Sequence, residues 1–231
     1  MNILSKKTGL LSVCCLLAAL LTGGCVEPDV YTGYVRQPQP QYAPQPNYQR
    51  PDPPVMHGLP RDFQDFKARY ASMGRTPRGA VKMYFDAVFS YIEGNKDEAL
   101  KMIRYSMHEG KGWDYTGYHS TFIERLKDPR NHYIFRSFAL GTSPQNNYAM
   151  DPNNYRLNIY DQREMHGYTQ VQLVSSGSDS LRTVQVKRFD DGLWYIIQNA
   201  ATYTQVREPY NVRAQKMYEH DADYDRSRRR Y

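Results

Sequence analysis

Residues 76–92 read TPRGAVKMYFDAVFSYI and carry the clearest helical pattern in the chain. Thr76 followed by Pro77 is typical of a helix N-cap with proline in the first turn. Apolar residues then recur three and four positions apart, at Val81, Tyr84, Phe85, Val88, Phe89 and Ile92. This spacing places them on one face, so the stretch is predicted to be a helix packed against a core.

Two more helices are predicted downstream of the first. Residues 97–108 have acidic side chains in the first turn and His108 in the last, which suits the two ends of the helix dipole. A weaker helical pattern near residues 118–126 is ended by Pro129. The first half of the globular region is therefore predicted to be helical.

After Pro152 the pattern changes from helical to alternating. Strands are predicted over residues 155–160, 168–174, 181–189 and 193–197. The last three are joined by short loops, the second of which contains Asp191-Gly192, so they form an antiparallel meander. Helices followed by strands predict an α+β fold in which the helices pack on one face of a curved antiparallel sheet.

The N-terminus has the three regions of an export signal. Lys6 and Lys7 precede an apolar run from Leu10 to Leu21, and small residues then lead to Cys25. Residues 21–25 resemble the bacterial lipobox, although Thr22 stands where Leu is commonest. The resemblance implies that residues 1–24 are removed and that Cys25 is acylated. The alternative is an ordinary secretory signal with an incidental cysteine.

The apolar run is too short to remain as a membrane span, because a spanning helix needs about 20 apolar residues. Membrane attachment is therefore predicted to come from the lipid on Cys25. Val26 follows the cysteine where the lipobox sorting pattern would place Asp for inner-membrane retention. The predicted location is the cell envelope, on the outer membrane if the host has one.

Residues 25–60 are rich in Pro, Gln and Tyr and cannot bury a core. They are predicted to form a disordered tether that holds the domain away from the membrane, or alternatively a Pro-rich ligand for an aromatic groove. The globular domain is predicted over residues 61–207. Residues 208–231 are predicted to be a polar, flexible tail.

The charge of the chain argues against a nucleic-acid partner. The formal net charge is +6, and removal of Lys6 and Lys7 with the signal peptide leaves about +4. Part of this excess lies in the last few residues. This net positive charge is too small to indicate a nucleic-acid-binding domain, so no nucleic-acid partner is predicted.

Three segments carry a further resemblance: TPRGAVKMYFDA at 76–87, NKDEA at 95–99 and DGLWYI at 191–196. Their order resembles lipoproteins with a domain of the nuclear-transport-factor type. The resemblance implies a cone-like α+β domain over roughly residues 75–207. Residues 134–144 are also similar to uncharacterised lipoprotein domain families. These motifs are structural, so they imply no particular activity.

The cone-like fold implies a concave face that could hold a small apolar ligand or an envelope protein. The candidate pocket residues are Tyr84, Phe85, Phe89, Trp194 and Ile196, with Val184 beside them. The alternative is that these residues form a plain core. The favoured function is a lipid-anchored binding or accessory module.

An enzyme of isomerase, dehydratase or hydrolase type is the second hypothesis, because enzymes of this fold place a polar pair inside the cone. The candidates are Asp128 with His132, and His119 with Tyr115 and Tyr118. Asp128-Pro129 is equally a helix terminator, and His132 precedes a predicted strand. No catalytic residue is therefore assigned.

No cofactor or metal is predicted. The six histidines are scattered, and none stands three or four positions from another. The run from His220 to Asp223 is typical of a solvated tail.

Overall fold

The computed structural model describes the backbone of residues 58–108 and 117–228, and the side chains of residues 58–108 and 120–220. The predicted signal peptide, Cys25 and nearly all of the tether lie outside these ranges. Helices come first and the sheet follows. The elements are α1 (Phe63–Met73), α2 (Pro77–Ile92), α3 (Lys96–Ser106), α4 (Gly117–Lys127), α5 (His132–Arg136), β1 (Ile159–Met165), β2 (Tyr168–Leu173), β3 (Arg182–Arg188), β4 (Trp194–Gln198) and α6 (Tyr210–Arg228).

The central element is α2, as the helical pattern predicts. The Thr76 Oγ1 accepts a hydrogen bond from the Gly79 backbone N–H at 3.0 Å and caps the first turn. Every residue from Gly79 to Tyr91 except Lys82 is buried. A helix that is buried almost all round lies inside a domain and not on its surface, so α2 forms the middle of the core.

The four strands form one antiparallel sheet in the order β1-β2-β3-β4. Alternate residues of β2 are buried, and Val171 pairs with Val184 of β3. Val186 of β3 pairs with Ile196 of β4, and all four of these side chains belong to the core. The buried face of the meander therefore packs on the helices, and the predicted α+β class is confirmed.

The α1–α2 corner is fastened to the edge strand β4. The Trp194 backbone N–H donates to the Gly74 carbonyl at 2.7 Å. The Tyr70 hydroxyl donates to the Trp194 carbonyl, also at 2.7 Å. These bonds occupy both backbone groups of Trp194, which closes this part of the sheet edge.

Two predictions about local structure are wrong. The first strand begins at Ile159, because the residues before it pair with the segment after α5: Leu157 makes an isolated bridge with Ala139. The strand predicted after His132 is instead the short helix α5. Asp128 caps a 3₁₀ turn over Pro129–Asn131 by accepting from the Arg130 backbone N–H, and this turn leads directly into α5.

The tail that the sequence predicts to be flexible is helical over Tyr210–Arg228. Its first turn is tied to the domain, because the Tyr210 N–H donates to the Pro144 carbonyl at 2.8 Å and the Asn211 N–H to Asn147 Oδ1 at 2.9 Å. A Gln215–Glu219 side-chain bond supports the next turn. Because these contacts are polar, the sequence of this helix has no helical spacing of apolar residues that would predict it. None of the described helices combines the length and apolar composition that a membrane span requires.

Candidate functional site

Four of the five predicted pocket residues lie in the hydrophobic core, and the fifth packs against it. Tyr84, Phe85, Phe89 and Ile196 are between 0% and 1% exposed, while Trp194 is half-buried. Phe85 lies edge-on to Tyr84, with ring centroids 5.3 Å apart, and 6.1 Å from Phe89. Such burial is what the plain-core alternative predicts, and the assignment of these residues to a ligand pocket stays a prediction.

The hydroxyl of Tyr84 is part of this closed core. It lies 3.0 Å from Thr202 Oγ1 and accepts from Asn199 Nδ2 at 2.9 Å. Burial raises the pKa of Tyr84, so its phenol stays protonated at neutral pH. The group fastens α2 to the segment after β4 and has no reactive form to offer.

A surface groove of about 330 Å³ lies elsewhere, between α1, α3 and β4. Its walls are formed by Phe63, Lys101, Arg104, Tyr105, His108 and Tyr195. Four of them, Lys101, Arg104, Tyr105 and His108, are spaced three, four and seven positions apart along and just beyond α3. That spacing puts them on one helix face, and we call the site the α3 groove.

The floor of the α3 groove is aromatic and tightly packed. Tyr105 lies edge-on to Phe63 at 5.8 Å, to Tyr195 at 5.9 Å and to Tyr70 at 5.2 Å, measured between ring centroids. Tyr195 stacks on Tyr70 at 5.4 Å. Because each ring is held by several others, the floor is fixed in position.

His108 is held in an unusual position at the end of α3. Its φ is 52°, in the left-handed region that non-glycine residues seldom adopt. The imidazole stacks on Phe189 at 4.2 Å and lies edge-on to Tyr195 at 4.6 Å. Its Nδ1 is buried and has no hydrogen-bond partner among the described residues. Strained backbone and an unsatisfied polar atom at one residue are typical of functional sites.

The rim of the α3 groove is cationic. Lys101 is paired with Glu98 at 2.5 Å. Arg104 is exposed, and within the described part of the chain its guanidinium makes no ion pair or hydrogen bond. As far as the side chains at positions 58–108 and 120–220 show, the groove therefore has an unpaired guanidinium beside an aromatic floor.

Tyr195 supplies a polar group that is already engaged. Its hydroxyl donates to Asp191 Oδ2 at 2.6 Å, and burial together with this carboxylate raises the pKa of Tyr195. Burial opposes ionisation of Asp191, but bonds from the Tyr195 hydroxyl and the Leu193 N–H, with the charge of His108, lower its pKa overall. The Asp191–Tyr195 pair thus orients the ring.

Sequence comparison adds one finding. A family model described as Domain of unknown function (DUF6935) matches residues 58–210. The chain belongs to this family. The match begins at the first described residue, Gly58, and ends at the first residue of α6, so the DUF6935 domain includes the whole α3 groove. Comparisons with curated proteins and with solved structures find no match.

Of the predicted polar pairs, the structure describes the side chains of Asp128 and His132 in the DUF6935 domain. Asp128 is bound by Arg130, whose Nη2 lies 3.0 Å from Asp128 Oδ2. His132 Nε2 lies 2.9 Å from the Leu126 carbonyl, and burial lowers the pKa of His132. Both side chains therefore stabilise the turn between α4 and α5. Tyr115 and the side chains of Tyr118 and His119 lie outside the described residues.

Among the residues that the structure describes, no group of three or more His, Cys, Asp and Glu could hold a metal ion. The side chains of Asp221 and Asp223, which follow His220, lie outside the described part. The signal that could have revealed the α3 groove from sequence is the Lys101, Arg104, Tyr105 and His108 spacing. Helices are predicted from the apolar residues of their buried face. The four groove residues lie on the opposite face of α3, so that pattern does not reveal them.

A second cluster of titratable groups in the DUF6935 domain surrounds Asp86, which is 6% exposed. Its Oδ1 accepts from Lys82 Nζ at 2.6 Å and from the Tyr155 hydroxyl at 2.8 Å. Lys82 Nζ also lies 4.1 Å from the centroid of the Tyr155 ring. Burial raises the pKa of Asp86, while Lys82, Tyr155 and the charge of Arg69 act against this rise. The cluster fastens the segment before β1 to α2 and does not border the α3 groove.

We expect Asp86→Asn to change how the stability of the domain depends on pH. Because the folded state raises the pKa of Asp86, folding favours its protonated form. Its contribution to the free energy of unfolding therefore falls as pH rises above the unfolded value of about 3.9. Urea unfolding between about pH 3.5 and about pH 7 should show the wild type losing stability relative to Asp86→Asn.

Asp65→Asn is the matched control for this prediction. Hydrogen bonds from Arg69 lower the pKa of Asp65, so its stabilising contribution is present above the unfolded pKa and is lost as pH falls through the folded value. The wild type should therefore gain stability relative to Asp65→Asn as pH rises. The same pH trend for both variants would contradict the assignment of Asp86 as the group with the raised pKa.

Proposed function

We propose that this chain is a lipid-anchored protein of the cell envelope whose DUF6935 domain binds a small ligand in the α3 groove. The N-terminal pattern that ends at Cys25 supports the anchor, and Val26 supports placement at the outer membrane where the host has one. The Pro-rich residues 25–60 would then give the domain reach above the membrane. Binding and anchoring are separate parts of the proposal and are tested separately.

The observation that carries the binding part is the guanidinium of Arg104, which has no partner among the described residues and lies beside an aromatic floor that is already packed. A groove of about 330 Å³ is at the small end of the range for ligand sites. The Tyr195 hydroxyl is held by Asp191, and burial together with this carboxylate raises the pKa of Tyr195. These features favour a binding module over the alternative of an enzyme.

The resemblance to domains of the nuclear-transport-factor type is kept in our proposal for the fold but not for the position of the ligand site. Helices packed on one face of a four-stranded meander are compatible with it. However, the ligand site that we propose lies at the outer face of α3, and not among Tyr84, Phe85 and the other core residues that the resemblance indicated. The fold relationship and the ligand site are therefore independent proposals.

A thermal-shift screen of the purified protein tests the binding part. The panel would hold envelope metabolites, lipid headgroups and glycan fragments, and unfolding would be followed by intrinsic fluorescence. A ligand at about 100 times its Kd stabilises the folded state by about 2.7 kcal/mol, which is roughly 5–10 °C for a domain of this size. We expect at least one such shift.

Filling the groove should abolish that shift. Lys101 is exposed at the rim, so Lys101→Trp would occupy the groove without disturbing the core. Lys127→Trp is the matched control, since Lys127 is exposed at the end of α4 and does not line the groove. A shift that survives Lys101→Trp would place the ligand elsewhere and contradict the proposal.

A further inference from the structure

The chemistry of the α3 groove indicates which class of ligand it selects, and this inference rests on the proposed function above. Two acidic side chains are bonded to residues that line the groove, and a third, Asp97, acts on Lys101 through its charge alone. Glu98 pairs with Lys101 and accepts from the Phe63 N–H at 2.8 Å. Asp191 accepts from Tyr195. Among the described residues, the uncompensated charge at the groove is therefore the positive charge of Arg104.

A guanidinium of this kind recognises planar anions. It presents parallel N–H donors that match a carboxylate or a phosphate, which a lysine ammonium does not. Arg104 lies in the last turn of α3, where the helix carries partial negative charge. The helix itself would thus repel an anion, so an anion that binds here must depend on the side chain of Arg104.

The rest of the groove fits an apolar ring. Phe63, Tyr105 and Tyr195 form a surface of ring edges and faces, and the His108 imidazole closes one end of it. A groove of about 330 Å³ accommodates a molecule of one or two rings and not a long chain.

We infer that the α3 groove selects a small molecule in which a carboxylate or phosphate is attached to a ring, with the anion on Arg104 and the ring on the aromatic floor. Neither half of such a ligand is expected to bind well alone. An inorganic anion would lack contact with the rings, and a neutral ring would leave the guanidinium unpaired. The measurable consequence is that a ring carrying an anionic group binds more tightly than either the ring or the anion alone.

NMR titration of the full chain carrying Cys25→Ala, which needs no detergent, tests this inference. The four probes are phenyl phosphate, benzoate, benzyl alcohol and inorganic phosphate. We expect phenyl phosphate and benzoate to bind at least about tenfold more tightly than benzyl alcohol or inorganic phosphate, the scale of one charge-assisted hydrogen-bond pair. The backbone signals that move should be those of α3 and β4.

Arg104→Gln is expected to weaken phenyl phosphate and benzoate about tenfold while leaving benzyl alcohol unchanged. Arg163→Gln is the control, because Arg163 is exposed on β1, pairs with Asp161 at 3.5 Å and does not line the groove. It should alter no affinity. If the variant loses more affinity for phenyl phosphate than for benzoate, the result indicates a phosphate ligand. If it loses more affinity for benzoate, the result indicates a carboxylate ligand.

The outcomes separate this inference from the proposed function. If benzyl alcohol binds the groove as tightly as phenyl phosphate, or if Arg104→Gln changes neither anion, the anion inference is overturned while the groove remains a binding site. If none of the four probes moves the signals of α3 and β4, both are overturned. Equal losses in Arg104→Gln and Arg163→Gln would show non-specific attraction and also overturn the inference.

Discussion

Replacing Cys25 with alanine is expected to move the protein from the membrane fraction to the soluble fraction of the cell envelope. The predicted acyl chains are attached to this thiol, and each buried methylene contributes about 0.8 kcal/mol to membrane binding. Two or three chains therefore hold the protein almost permanently, and their loss changes the partition by many orders of magnitude. Metabolic labelling with an alkyne-bearing palmitate, followed by fractionation, measures both the lipid and the location.

Cys15→Ala is the matched control for Cys25→Ala. Cys15 lies ten positions earlier, inside the segment that is predicted to be removed, so its replacement should leave labelling and membrane association unchanged. Labelling that persists in Cys25→Ala, or that disappears in Cys15→Ala, would show that the lipobox is assigned to the wrong cysteine. A Cys25→Ala protein that stays in the membrane fraction without label would require another means of attachment.

Gly79→Ala is expected to destabilise the DUF6935 domain by about 3 kcal/mol or more, at the upper end of the cost of overpacking. A Cβ atom at Gly79 would lie 1.9 Å from the Met73 carbonyl oxygen and 2.8 Å from Thr76 Oγ1. Backbone cannot rotate away as a long side chain can, so the last turn of α1 and the first turn of α2 must separate. Urea unfolding would measure the loss as a lower midpoint.

Two opposing effects meet at Gly79, and their sizes decide the sign. Alanine is better than glycine in a helix interior by about 1 kcal/mol, so propensity alone predicts that Gly79→Ala stabilises the domain. Gly141→Ala provides a comparison, because Gly141 has φ of 85° and its Cβ would meet nothing within 4 Å. That variant should cost only about 1–2 kcal/mol, from backbone strain. A stabilised Gly79→Ala protein would contradict the close packing of α1 on α2.

Thr76-Pro77 and Gly79 differ in how much of their role can be predicted from the sequence alone. The cap and the proline are local signals, and both sit where they were predicted. Gly79 lies only two positions after Pro77, yet its role depends on Met73 of the preceding helix. No helical period reveals that contact, because it depends on the angle at which α1 and α2 meet.

The proposed binding site could not be predicted from neighbouring residues either. The predicted pocket residues were chosen as the most apolar side chains near the expected cone, and burial inside the core is the usual fate of such residues. The α3 groove instead combines Phe63 of α1, Tyr105 of α3 and Tyr195 of β4, which are up to 132 positions apart in the chain. Only the packing of these rings against Tyr70 makes one floor of them.

The sequence by itself determined the α+β class, the helix over residues 77–92 and the meander of the last three strands, because helical and alternating periods are set by neighbouring residues. Tertiary structure alone decided that the residues before β1 pair with the segment after α5, that the polar residues 210–228 form a helix, and that Arg104 lies beside an aromatic floor. These features depend on contacts between residues distant in the chain, such as Asp86 with Tyr155 and Tyr210 with Pro144. Patterns of neighbouring residues do not predict such contacts.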